Sequence, residues 1–122
     1  MAYRDVSVWL EDVLMAITRI NHYIKDVDSY SGYTSNFLVR DATERNLEII
    51  AEALKNAIKQ KPNLVISDTA KIIGLRNIIN HQYYDVEHDR IWVIIKKNIP
   101  VLEDDIKKIL EDYERRLDLN EL

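Results

Sequence analysis

The chain has 122 residues, 47% of them hydrophobic and 31% charged, a balance that excludes a disordered polymer and fits one domain over residues 1–122. It contains no cysteine, which excludes disulfide staples, thiolate metal sites and a cysteine nucleophile, and fits a reducing cytoplasm. The net charge of −4 excludes an open basic surface, so a site for a polyanion has to be a local pocket or be assembled between chains.

Glycine and proline occur only twice each, and no stretch sustains period-two alternation, so the sequence predicts long helices and no sheet. No apolar run approaches the roughly 18 residues that span a bilayer. Arg4, Asp5, Glu11 and Asp12 interrupt the opening turns, so neither a signal peptide nor a membrane segment is expected.

The first predicted helix covers residues 3–28. Val6, Leu10, Val13, Ile17, Ile20, Ile24 and Val27 recur at spacings of three and four, a seam suited to bundle packing. Residues 29–34 read as a connection, after which Thr34 or Ser35 caps a second helix to about residue 60. Glu44, Glu48 and Glu52 lie on one face of it and read first as a solvated acidic stripe. Glu52, set among Ile49, Ile50, Ala53 and Leu54, needs a partner if buried and is a candidate supporting residue. Pro62 stops this helix, and Leu64, Val65 and Ile66 form an apolar connector tucked under the bundle.

Ser67 or Asp68 then caps a third helix, residues 68–81. Residues 85–89 read as a turn, with Asp85-x-x-His88 in a capping role. The last helix carries Ile91, Ile94, Ile95, Ile99, Leu102, Ile106 and Ile109, with Pro100 inside the pattern. The expected fold is an all-α, up-and-down bundle of four main helices, the last kinked near Pro100.

The chemistry concentrates in the eleven residues from Gly74 to Tyr84. On a wheel of about 100° per residue with Arg76 at zero, Asn80 falls near 40°, Asn77 near 100°, His81 near 140° and Gly74 near 160°. Ile72, Leu75, Ile78 and Ile79 occupy the opposite arc, so the polar groups ride on a helix anchored from behind. Arginine offers a permanent cation and a planar fork for phosphate oxygens; histidine titrates near neutrality and serves as acid or base. Together they suit attack by a ribose 2′-hydroxyl on its own phosphodiester without a metal. Asn77, four residues before His81 and one turn away, is placed to orient it. A di-iron bundle is not expected, because no histidine stands in a Glu-x-x-His pair: Arg19, Ile78 and Asp85 precede His22, His81 and His88 by three.

Arg76, four residues, His81, one residue, Tyr83 resembles the signature of HEPN-domain proteins, specifically the HepT toxin ribonucleases. The flanks extend the likeness. The run from Arg45 to Ala53 is similar to the family's second-helix block, and Gly74-Leu75-Arg76-Asn77 to the entry of its active-site helix. Tyr83 to Val86, Ile91-Trp92 and Asn98 to Leu102 are similar to its final helix, so the resemblance covers about residues 3–115. It implies an all-α homodimer that cleaves RNA in a cleft between protomers, with Arg76 and His81 catalytic, Asn77 supporting and no cofactor. It also implies a cognate MntA-type nucleotidyltransferase antitoxin that adds AMP to Tyr83. Two other readings use the same residues: a module that binds nucleotide or docks the nucleotidyltransferase without catalysis, and a structural bundle whose polar arc packs between two chains.

Overall fold

A computed structural model of the protein describes residues 5–81 and 88–119, the side chains of residues 76–78, 80 and 81 excepted. Its first helix starts at Asp5, whose extended backbone and carboxylate cap α1 (Val6–Ile24) by accepting the Ser7 N–H at 2.9 Å. The same side chain accepts the Tyr113 hydroxyl at 2.7 Å, pinning the start of the chain to the last helix. These two bonds hold the Asp5 carboxyl below its ordinary range, the backbone bond contributing most. Leu10, Val13, Ile17 and Ile20 of the α1 seam are fully buried. The helix stops at Ile24 rather than running to residue 28, because Val27 closes a short turn on the Ile24 carbonyl at 2.9 Å.

The predicted connection over residues 29–34 is itself a short helix, α2 (Tyr30–Ser35). Ser29 caps it, accepting the Gly32 N–H at 3.0 Å, and it delivers Tyr33 to the core. Asn36, not Thr34 or Ser35, then caps α3 (Phe37–Gln60) through the Val39 N–H at 3.1 Å. After Pro62, Leu64 and Ile66 pack against the core, whereas Val65 between them is 88% exposed, so the connector is tucked in only on alternate residues.

The fourth and fifth helices are α4 (Thr69–His81) and α5 (His88–Asp118). Asp68 precedes α4 in a left-handed conformation (φ 57°), which aspartate tolerates better than most residues. Its carbonyl takes the Ile72 N–H at 3.2 Å, but its carboxylate accepts from the Asn98 amide of α5 at 2.7 Å. Asp105 adds a second tie to α5 through the Ser67 N–H at 3.0 Å. α5 passes through Pro100 as one continuous helix, with the proline ring exposed.

α3 is the central element, packed on α1 along one side and on α4 along another, while α5 lies across α1. Leu47, Ile50, Leu54, Ile72, Leu75, Ile91, Ile99 and Leu102 complete a core with α1. Burying each such side chain contributes roughly 1.5–3 kcal/mol. Among the described residues every regular element is helical. No helix there is long and apolar enough to cross a membrane.

Candidate functional site

The helix expected to carry the chemistry is α4, and its described half is held as the wheel requires. Ile72 and Leu75 are fully buried, and Ile73 and Ile79 pack against the core. Arg76, Asn77 and His81 all belong to this helix, its last six residues spanning the interval from Arg76 to His81. On the other side, nothing lies within 4 Å of the place where a Cβ on Gly74 would stand. Ala70, Gly74, Asn77 and His81 share a strip of about 60° on the wheel, so the open position at Gly74 is in register with His81. Tyr83 lies outside the described residues.

That strip borders a cavity of about 420 Å³ between α4 and α5, lined by Ala70, Lys71 and Gly74 on one wall and Arg90, Val93 and Asn98 on the other. A second cavity, about 270 Å³, lies between α1 and α3. Glu52 lines it together with Trp9, Asp12, Arg45 and Glu48, and the Glu52 side chain is exposed. Arg45 pairs with Glu48 at 3.3 Å, and both are surface groups of modest energetic weight.

The acidic stripe of α3 is not uniformly solvated. Glu44 is only 8% exposed, and its Oε2 accepts the Tyr33 hydroxyl at 2.9 Å and meets His88 Nδ1 at 2.8 Å. His88 opens α5 with its ring on a buried carboxylate, while Asp85 and the turn before it lie outside the described residues. The Tyr33 ring leans against Trp92 at 5.1 Å between centroids. Burial, then the Glu44 charge, push the Tyr33 phenol far above its ordinary range, so it stays a proton donor. Phase alone hinted at this. Glu44 stands three residues before Leu47 and seven before Ala51, both buried, whereas Glu48 and Glu52 rotate outward by about 40° per step. Its partners, 11 and 44 residues away, had no local signature.

His22 is exposed and sits edge-on to Tyr23, a surface residue as expected. Among the described residues, no three histidine or carboxylate side chains converge as metal ligands do.

Comparison with known proteins agrees with the resemblance carried by the residues themselves. The family described as Ribonuclease HepT-like matches residues 13–109. An inferred RNase of Methanocaldococcus jannaschii is 32% identical over 111 residues, covering 88% of this chain and 98% of its own. A second from the same organism is 32% identical over 120 residues, 95% of this chain and all of its own. An inferred ribonuclease HepT of Thermococcus cleftensis is 27% identical over 110 residues, 87% of this chain and 96% of its own. No solved structure matches. The matched span takes in α3, α4 and most of α5, with Arg76, Asn77 and His81 inside it, and the chain belongs to the ribonuclease HepT-like family.

Proposed function

We propose that the protein is a metal-independent endoribonuclease, the toxin of a toxin–antitoxin pair, working in the cytoplasm as a homodimer. The observation that carries this reading is α4: one helix anchored by Ile72 and Leu75, bearing Arg76, Asn77 and His81, with an open strip at Gly74 in register with His81. The names of the relatives as RNases support the same substrate.

The reaction would run as follows. His81 takes the proton of a ribose 2′-hydroxyl, whose oxygen bonds to the adjacent phosphorus. The bond from phosphorus to the 5′-oxygen breaks, that oxygen takes a proton from water as it leaves, and His81 gives its proton back to solvent. Arg76 holds the phosphoryl oxygens as charge gathers on them, and Asn77 orients the His81 ring from one turn away. The products are a 2′,3′-cyclic phosphate and a 5′-hydroxyl. A cleft between two protomers doubles the number of Arg76 cations, which gives an acidic chain a locally positive site. The family resemblance supports the control step: an MntA-type nucleotidyltransferase antitoxin transfers AMP to Tyr83, placing a phosphodiester anion and an adenosine beside the site.

Purified protein should cleave single-stranded RNA in excess EDTA, and His81→Ala should lower the rate by roughly 10²–10⁴-fold. Arg76→Lys, which keeps the charge and loses the fork, should also fall well below wild type. Cleavage that survives His81→Ala would overturn the mechanism. Saturable RNA binding with no cleavage by wild type would leave a binding module instead. Incubation with the nucleotidyltransferase and ATP should add AMP to the wild-type chain and not to Tyr83→Phe, as read by intact mass.

A further inference from the structure

We propose that the groove between α4 and α5 is a phosphate-binding subsite that holds the RNA strand beside His81, with Lys71, Arg90 and Lys97 contacting its backbone; this rests on the ribonuclease reading of α4. The groove is a cavity of about 420 Å³ whose α4 wall is made of Ala70, Lys71 and Gly74. Since nothing lies within 4 Å of a Cβ built on Gly74, a polymer backbone can approach the helix closely there. Gly74 and His81 are seven residues apart on nearly the same line of the helix, about 10 Å along its axis. A strand lying in the groove is thereby led toward the candidate catalytic face.

The charge of the groove is opposite to that of the molecule. Lys71 and Arg90 line it and are exposed, and Lys97 is exposed on the same face of α5, at i+7 from Arg90. Among the lining residues two cations, Lys71 and Arg90, stand against one carboxylate, Asp89, in a chain whose net charge is −4, and Lys97 adds a third cation beside the lining while Asp68 is engaged by Asn98 at its end. Farther along that face, beyond Val101, the surface turns acidic at Asp104, which bounds the positive stretch. Asn98 is held by Asp68 and fixes the groove's far end. Val93, 47% exposed, gives the α5 wall an apolar surface suited to a ribose or base face. A polyanion complements this local surplus of cations, and single-stranded RNA is the polyanion that the neighbouring chemistry consumes.

The test is binding of a labelled single-stranded RNA oligomer to the full chain in a His81→Ala background, so that affinity is read apart from cleavage. Combining Lys71→Gln, Arg90→Gln and Lys97→Gln should weaken binding tenfold or more at moderate salt. The slope of log affinity against log salt should become shallower by roughly 2, given about 0.7 per lost contact to a single strand. Gly74→Leu, which fills the groove without changing charge, should also weaken binding, while Lys55→Gln on exposed α3 surface should not. Unchanged affinity and slope in the triple variant would overturn the subsite. So would loss of dimer, by light scattering, in step with loss of binding, because the groove would then be a contact between chains. If wild type fails to cleave while the triple variant still binds RNA more weakly, the subsite stands and the catalytic reading falls.

Discussion

Glu44 shows how one side chain can set the positions of elements that are not its own. Its Oε2 takes the Tyr33 hydroxyl from α2 and meets the His88 ring at the start of α5. A carboxylate this buried would cost several kcal/mol without such partners. Tyr33 is fully buried beside Trp92, so α2 is fastened by one ring and one hydroxyl. The consequence for pH follows from the raised phenol pKa. An unfolded tyrosine releases its proton near pH 10, while the folded Tyr33 keeps it. Above about pH 10 the folded state therefore binds the extra proton, and stability falls as pH rises; below that pH the contribution is complete. The urea midpoint of wild type should drop between about pH 9 and 11 more steeply than that of Tyr33→Phe. At neutral pH that variant should lose about 1.5–3 kcal/mol with the bond to a charged acceptor. Parallel profiles for the two proteins through this range would remove Tyr33 as the titrating group.

At the scale of elements, α5 carries an anomaly in Pro100. The ring has no N–H, so the Lys96 carbonyl lacks its helical donor, a defect costing about 3 kcal/mol in a helix interior. The helix survives because Ile95, Ile99, Leu102 and Ile106 are buried on both sides of the proline and hold it on the core. Pro100 itself is exposed. Pro100→Ala should raise unfolding free energy by about 1–3 kcal/mol in urea titrations. A loss of stability would mean that the proline's local geometry is part of the packing. The phases of such helices were legible in the sequence: Leu10, Val13, Ile17 and Ile20 were read as a seam and are buried. Helix ends were less so, since Ser29 and Asn36 cap by single side-chain bonds that leave no periodic trace. Six residues are also too few for α2 to display a period. Of the candidate site, the spacing of Arg76 and His81 and the anchoring behind them were legible. The groove beside Gly74 was not, because its other wall comes from α5, which shares the core with α4 and is tied to its start by Asp68–Asn98 and Ser67–Asp105.

For the molecule as a whole, net charge makes two demands that pull against each other. Each chain carries −4, so two chains repel at long range, and added salt screens that repulsion and favours the proposed pair. RNA bound as proposed, by Arg76 and the groove cations, would respond the other way, since salt competes with every phosphate contact. Cleavage by the wild-type protein should therefore peak at intermediate ionic strength rather than fall steadily from the lowest salt. At fixed salt and excess RNA, the rate per chain should be constant above the dissociation constant of the pair. It should fall in proportion to concentration well below it, because the dimer fraction then scales with the chain present. Sedimentation over the same dilution series should show the mass moving from twice 14.4 kDa to the single chain as the rate declines. Read by RNA binding rather than cleavage, Arg76→Ala should lose affinity less steeply with salt, having one fewer phosphate contact per chain to lose. A rate per chain that holds steady after sedimentation reports monomer would place a complete site within one protomer, and the acidic chain would then depend on Arg76 and its own α4/α5 groove alone.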